Sequence, residues 1–173
     1  ARAADARVVV DLLAEGRMPE RVTHNDTKLN NVMIDERTGE GICVIDLDTV
    51  MPGSALYDFG DLVRTGAVTG AEDERDLSRV RLDLGLFEYV AHGFLDATCD
   101  VLTPLEIDHL VFGARLITYE QAIRFLGDYL NGDTYYKTHR LGHNLDRART
   151  QIKLLAEIER YAEALDAIVA RYR

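Results

Sequence analysis

The segment Thr23-His24-Asn25-Asp26-Thr27-Lys28-Leu29-Asn30-Asn31 contains the pattern His-x-Asp-x-x-x-x-Asn, and a further acid, Asp46, follows Asn31 by fifteen residues. A carboxylate can take a proton from an attacking hydroxyl. An amide oxygen and a second carboxylate can together hold a hard cation. Magnesium prefers oxygen ligands and is usually bound by one or two protein groups, with waters and substrate phosphates completing its shell. These residue types therefore point to phosphoryl transfer, with Asp26 as the base and Asn31 and Asp46 as metal ligands. Neither piece is specific alone, because the short pattern often arises by chance.

Their relative position carries the weight. Val32-Met33-Ile34 and Ile42-Cys43-Val44-Ile45 are two apolar runs separated by Glu36-Arg37-Thr38-Gly39-Glu40-Gly41, a hairpin signal with glycines for the turn. A tip between Thr38 and Gly39 sets Val32 opposite Ile45 and Asn31 opposite Asp46. Opposed residues have Cβ atoms about 4.5–5.5 Å apart, so the open end of the hairpin presents both groups to one cation. Asp26 precedes Asn31 by five residues, in the loop leading into that end. A loop Asp, an Asn five residues on and a later Asp are the arrangement of kinase catalytic loops. Lys28 would aim its charge at the transferring phosphoryl group, although a plain surface lysine is the blander reading. His24 is expected to support the loop backbone. Asp58, in Tyr57-Asp58-Phe59-Gly60-Asp61, is expected to accept hydrogen bonds from that loop or to cap a helix.

The surrounding elements read mainly as helix. Residues 3–15 form the first, ended by Gly16, and from Tyr57 onward the pattern is helical, with Leu77 to Phe94 at helical spacing. Thr103-Pro104-Leu105-Glu106 is a capping box with Pro at the first helical position, starting a helix that runs to Leu130 and stops at Asn131-Gly132. Asn144 is placed to cap a last helix whose stripe passes through Ile152, Leu155, Ile158, Tyr161, Leu165 and Val169. The fold class is mainly α with a small β-hairpin.

At 173 residues the chain suits one domain, and 47% apolar with 29% charged residues is ordinary for a globular protein. Thirty acidic against twenty basic residues give a formal charge of −10, which argues against a nucleic-acid partner. Neither a leader peptide nor an apolar run near membrane-spanning length is evident, so no membrane partner is expected and the cytoplasm is the default. Cys43 and Cys99 cannot build a disulfide framework, and Cys43, inside an apolar run, reads as a buried thiol.

A rival reading starts from Val44-Ile45-Asp46-Leu47-Asp48-Thr49, which is similar to the first motif of haloacid-dehalogenase-type phosphatases, with Gly127-Asp128 and Asp133 as the last acidic motif. Asp46 would then be a nucleophile. Against it, Asp128 follows a helical rather than a strand pattern, few strands follow residue 57, and Asp26 and Asn31 go unexplained. A non-catalytic kinase-like binding module is a third reading, disfavoured by the intact base and metal ligands.

The longer strings resemble the aminoglycoside phosphotransferase and choline kinase superfamily, and within it the N-acetylhexosamine 1-kinases. They are His24-Asn25-Asp26-Thr27-Lys28-Leu29-Asn30-Asn31, Asp46-Leu47-Asp48-Thr49-Val50-Met51-Pro52-Gly53, Tyr57-Asp58-Phe59-Gly60-Asp61, Ile123-Arg124-Phe125-Leu126 and Tyr135 to Arg140, ending in Gly142-His143-Asn144-Leu145-Asp146-Arg147-Ala148-Arg149. The resemblance implies the C-terminal lobe of a protein-kinase-like α+β fold. It also implies ATP as co-substrate with Mg2+, and transfer to the anomeric hydroxyl of an N-acetylhexosamine. By the same resemblance Thr49, Arg124 and Tyr135 line the sugar site, although Arg124 could instead pair with Glu120 or Asp128. Asp48 is a further metal or water contact or a structural carboxylate. His139 and His143 have the spacing of metal ligands, but a loop-and-cap role fits better for want of a third ligand.

A kinase-type site also needs a Gly-rich loop over the phosphates and a strand lysine. No Gly-x-Gly-x-x-Gly occurs, and Lys28, Lys137 and Lys153 lie outside any candidate strand. The chain opens at Ala1, already inside a helical pattern. Residues 1–173 are therefore expected to be one catalytic and acceptor-binding lobe whose N-terminal nucleotide-binding lobe is missing. Alone, such a piece should be inactive, with the adenine side of its cleft exposing apolar surface.

Overall fold

The computed structural model describes residues 2–98 and 100–173. Cys99 lies outside the described residues. Seven α-helices are described: α1 (Asp5–Ala14), α2 (Ala55–Gly66), α3 (Leu84–Thr98), α4 (Pro104–Asp108), α5 (Leu110–Leu130), α6 (His143–Arg160) and α7 (Ala162–Ala170). Four short strands, β1 (Arg21–Thr23), β2 (Val32–Ile34), β3 (Gly41–Val44) and β4 (Met51–Gly53), form two antiparallel pairs, β1 with β4 and β2 with β3. The architecture is mainly α with small hairpin-like sheets, as the sequence pattern indicates. No described helix is long and apolar enough to cross a membrane.

The core gathers Leu56, Phe59 and Val63 of α2, Phe87 and Leu95 of α3, Leu110 and Ala114 of α5, Leu154 and Ile158 of α6 and Leu165 of α7. Helix α5 lies against both α2 and α6. Its approach to α2 is close enough to need glycine on both sides. A Cβ on Gly60 would meet the Gly113 carbonyl oxygen at 2.7 Å, and one on Gly113 would meet the Leu56 carbonyl oxygen at 2.6 Å. The capping box at α4 forms as the sequence predicts, and Glu106 does more than close it. Its fully buried carboxylate also receives Arg21 Nε and Nη2, each at 2.8 Å, tying β1 to the helical body.

Several boundaries differ from expectation, each for a local reason. The helical spacing at Leu77 misleads: only Leu77–Arg79 turn, as a single 3-10 turn, and α3 starts at Leu84. The chain between pairs with the end of α2 instead, with Thr69 N–H on Arg81 O (3.1 Å) and Asp83 N–H on Ala67 O (2.9 Å). The expected helix from Pro104 to Leu130 breaks at His109, whose ring takes up the Leu105 carbonyl at 2.8 Å. Asn144 does not cap α6. Gly142 is the cap, in a left-handed conformation (φ 71°), and the Asn144 amide is drawn to Asp128 and Asp133. The last helix is split at Tyr161, and Ile152 is half exposed rather than part of the buried stripe.

The hairpin exists, but its register is one residue from the one expected. Val32 faces Val44 and Met33 faces Cys43, with a bulge before Ile34 meets Gly41. The tip is set by Asp35, whose carboxylate accepts the N–H groups of Arg37 (2.8 Å) and Thr38 (3.1 Å), and by left-handed Gly39. Asn31 therefore pairs with Ile45, whose N–H reaches the Asn31 carbonyl at 2.9 Å. Cys43 is exposed, not buried, because its strand pair lies on an uncovered face. Met33, Ile34, Ile42 and Val44 of that pair are all at least half exposed, as is Leu47 shortly after it.

Overpacking a tight helix contact typically costs about 1–3 kcal/mol. Gly60→Ala and Gly113→Ala should each lower the thermal midpoint accordingly, whereas Gly93→Ala, with nothing within 4 Å of its Cβ, should not. Equal melting of all three variants would show that α2 and α5 are not in backbone contact.

Candidate active site

Two loops form the site, and each is clamped at both ends. The loop 24–31 leaves β1 and enters β2, while the loop 45–50 leaves β3 and enters β4. Because β1 pairs with β4 and β2 with β3, both loops are held side by side between two ladders. The β1–β4 pair was not legible as strands, since each is only three residues long.

Asp58 fixes the first loop. Its Oδ2 accepts the His24 N–H at 2.8 Å and its Oδ1 the Asn25 N–H at 2.7 Å. Its own carbonyl accepts the Thr27 hydroxyl at 2.6 Å. Burial raises the Asp58 carboxyl above its ordinary value, and the two N–H donors offset that only in part. The cap of α2 is Ser54, so the Asp58 carboxylate serves the loop rather than its helix. Asn25 sits in the left-handed region (φ 62°) and its amide donates to the Thr49 carbonyl at 3.0 Å, joining the two loops. His24 Nε2 donates to the Ile45 carbonyl at 3.0 Å, and the Thr49 hydroxyl donates to the His24 carbonyl at 2.6 Å.

Asp26, Lys28, Asn31 and Asp46 come together. Lys28 Nζ lies 2.6 Å from Asp26 Oδ2 and 3.9 Å from Asp46 Oδ2. The Asn31 amide nitrogen donates to the Asp26 backbone carbonyl (2.8 Å) and to Asp26 Oδ2 (2.9 Å). Asn31 Oδ1 makes no hydrogen bond among the described residues and remains available as a ligand atom. The register slip does not carry Asp46 away, because Asp46 itself is left-handed (φ 64°) and turns the chain back toward the loop. Its side chain is about half exposed. The described residues include no cluster of three or more His, Cys, Asp or Glu side chains that could hold a metal. An amide oxygen and a carboxylate are nonetheless the donor set for a cation that keeps waters and phosphate oxygens in its shell. Asp48 lies exposed in the turn Leu47–Thr49.

A cavity of ≈610 Å3 opens beside this centre. Asp26, Lys28, Thr49, Arg124 and Tyr135 all line it, and so do Tyr57, Asp61, Gln121 and Tyr136, which sequence reasoning missed. Gly113, Ile117, Gln121 and Arg124 recur at helical spacing, so one stripe of α5 packs on α2 and then walls the cavity. The Arg124 guanidinium lies 5.9 and 5.7 Å from the rings of Tyr135 and Tyr136 and has no carboxylate partner among the described residues. The pairing with Glu120 or Asp128 is thus not what occupies it. The tyrosines are held by Asp128, which accepts the N–H groups of Thr134 (2.9 Å), Tyr135 (2.8 Å) and Tyr136 (2.9 Å) and the Asn144 amide (2.8 Å). With its lone pairs so engaged, Asp128 acts as a clamp and not as the acidic motif of a phosphatase. His143 accepts the His139 N–H on Nδ1 at 3.2 Å and donates from Nε2 to Asp73 at 3.0 Å. Burial and the neighbouring Arg147 hold the ring below its ordinary pKa, and the pair braces the segment before α6.

A model of the phosphotransferase enzyme family matches residues 1–95, more than half of the chain. The chain belongs to that family, within the aminoglycoside phosphotransferase and choline kinase superfamily. Its mainly helical architecture is that of a kinase-like C-terminal lobe. The matched span holds the loops 24–31 and 45–50 together with Asp58, whereas Arg124 and Tyr135 lie beyond it.

Burial pushes the Asp26 carboxyl up, but hydrogen bonds from Lys28 and Asn31 and the Lys28 charge outweigh it and leave the group below its ordinary value. The stability this adds is present above the ordinary carboxylate pKa and is lost as pH falls through the lowered one. A 13C NMR titration of the Asp26 carboxyl should show that depressed midpoint, and Lys28→Met should move it upward. An unchanged midpoint in the variant would break the Lys28–Asp26 assignment.

Proposed function

We propose that this chain is the catalytic and acceptor-binding lobe of an ATP- and Mg2+-dependent small-molecule kinase, and that its acceptor is the anomeric hydroxyl of an N-acetylhexosamine. The observation that carries the reading is that Asp26, held ionised, opens onto a cavity of ≈610 Å3 with Lys28, Asn31 Oδ1 and Asp46 beside it.

In this mechanism the acceptor hydroxyl sits against Asp26, which orients it and takes its proton as the new O–P bond to the γ-phosphorus of ATP forms. The bond from that phosphorus to the β,γ-bridging oxygen breaks, and ADP leaves with the electron pair. Lys28 neutralises Asp26 in the resting site and turns toward the phosphoryl oxygens when an anion arrives. Asn31 Oδ1 and Asp46 would hold a magnesium ion, whose charge would screen that of the phosphates. Arg124 offers fixed donors to ring and amide oxygens, while Tyr135, most of it exposed, offers a flat face. Thr49 contributes a wall and a lone pair, its hydroxyl hydrogen being spent on the His24 carbonyl. His24 and Asp58 keep the loop in shape.

The exposed apolar face around β2, β3 and Leu47 supports a second element of the proposal. It is where a nucleotide-binding lobe of the same protein would seat, and a contiguous apolar surface of this kind marks a contact site. The chain alone would then bind ATP poorly and turn over little.

In the enzyme complete with that lobe, Asp26→Asn should lower turnover on the order of a hundredfold to ten-thousandfold with nucleotide affinity little changed. Retention of more than about a tenth of turnover would remove Asp26 from the base role. Arg124→Ala should raise KM for the N-acetylhexosamine far more than KM for ATP. An acceptor screen decides the substrate, since preferred turnover of choline or an aminoglycoside would leave a kinase but not this one.

A further inference from the structure

The cavity beside Asp26 is lined by three carboxylates, Asp26, Asp61 and Glu120, and by three cations, Lys28, Arg64 and Arg124. Two pairs satisfy each other: Lys28 Nζ lies 2.6 Å from Asp26 Oδ2, and Arg64 Nη2 lies 2.7 Å from Asp61 Oδ1. Glu120 and Arg124 are left over. They stand four residues apart on α5, in the order that favours an ion pair, yet they do not pair. The Arg124 guanidinium lies over Tyr135 and Tyr136 instead. The exposed Glu120 has neither a side-chain hydrogen bond nor an ion pair among the described residues. We propose that Glu120, assisted by the Tyr57 hydroxyl, binds acceptor hydroxyls other than the reacting one and so selects the hydroxyl pattern of the ring. The inference rests on reading this cavity as the acceptor site.

Packing brings the two groups to neighbouring walls. Ile117, Glu120, Gln121 and Arg124 share one face of α5, and Tyr57 and Asp61 share one face of α2. The helices still touch at this level, since a Cβ on Gly60 would meet Ile117 Cγ1 at 2.9 Å. The Tyr57 hydroxyl makes no hydrogen bond among the described residues. Burial raises its phenol above the ordinary value and the nearby Glu120 charge raises it further, so the hydroxyl keeps its hydrogen. Glu120 thus offers acceptors only, beside a hydroxyl that both gives and takes. Gln121 is less free, because its Nε2 donates to the Tyr136 hydroxyl at 3.2 Å. Charge then limits the ligand. An ammonium held by Glu120 would sit one helical turn from the Arg124 guanidinium, and an anion held by Arg124 would sit as near to Glu120. A neutral ligand that donates to one and accepts from the other meets no such repulsion. Sugar hydroxyls donate and an acetamide carbonyl accepts, so an N-acetylated sugar does both.

Calorimetric titration of the chain with N-acetylglucosamine and its 3-, 4- and 6-deoxy analogues tests this. In the unaltered protein at least one analogue should bind about tenfold more weakly, the loss expected for a hydrogen bond to a charged group. Glu120→Ala should weaken the parent sugar about as much, and in that variant the same analogue should lose nothing further. Tyr57→Phe should weaken the parent sugar by less, about threefold. Melting curves report that the variants fold; where Glu120→Ala does not, Glu120→Gln keeps the shape without the charge and should show a reduced penalty for the same analogue. Losses that add, rather than replace each other, would mean that Glu120 only shapes the wall, and would overturn the proposal. Equal affinity of the parent sugar for the unaltered protein and Glu120→Ala would overturn it while leaving the cavity as acceptor site. Glucosamine binding more tightly than N-acetylglucosamine would also overturn it, since Glu120 would then hold an ammonium. Binding of none of these sugars would overturn the inference and the N-acetylhexosamine reading together.

Discussion

The site depends first on one carboxylate that never needs to touch substrate. Asp58 takes two consecutive backbone N–H groups, those of His24 and Asn25, onto its two oxygens. Consecutive N–H groups converge on one acceptor pair only when the backbone turns between them, and Asn25 supplies that turn with a left-handed conformation. Such a conformation costs a non-glycine residue about 1–2 kcal/mol. Bonds from Thr23 and to Thr49 offset it, so the turn persists because its surroundings over-determine it. Asp58 is in turn fixed by its helix, two residues before Gly60, where α2 meets α5 backbone to backbone. The direction of the Asp26 side chain is therefore set by a chain of contacts that ends in a helix–helix crossing.

That crossing also explains how one short loop and one distant helix share a cavity. The stripe of α5 that starts at Gly113 continues through Ile117 to Gln121 and Arg124, three turns further on. Moving α5 outward by the width of a methyl group would loosen Asp58 and displace Arg124 together. Electrostatics then finish what packing begins. Asp26, Lys28 and Asp46 leave one negative charge in excess before any cation binds. Asn31 makes no change to that count, but by spending its amide hydrogens on Asp26 it presents only an oxygen outward. On the proposed reading, that excess charge would favour a divalent cation and, through it, a polyphosphate.

How much of this was legible depended on distance along the chain. The loop residues were readable because Asp26, Lys28 and Asn31 lie within six positions, so spacing alone constrains them. The capping box at Thr103 was readable for the same reason. The hairpin was readable in kind but not in register, because Asp35 closes a turn that apolar patterning does not report. Asp46 reaches the centre anyway through its own left-handed backbone, a compensation invisible in a pattern of apolar residues. The β1–β4 pair, the apposition of Gly60 and Gly113, and the seizure of Asn144 by Asp128 are long-range events, and no local periodicity encodes them. Cys43 was misjudged because an apolar run signals burial only if something covers it.

The two halves of the site have different origins in the chain, and this bears on what each can vary. Everything at the candidate phosphoryl centre comes from loops locked between two ladders and pinned by Asp58, inside the span that the phosphotransferase family model matches. A substitution there disturbs several hydrogen bonds at once. The cavity wall is built otherwise. Arg124 stands at the end of a helix stripe without a carboxylate partner among the described residues, and Tyr135 is mostly exposed on a segment whose backbone, not whose side chains, is held by Asp128. A residue that the clamp grips only by its backbone can change its side chain without unmaking the clamp. On the proposed reading, the fold would separate a rigid centre for the transfer from a wall whose side chains can vary with the acceptor.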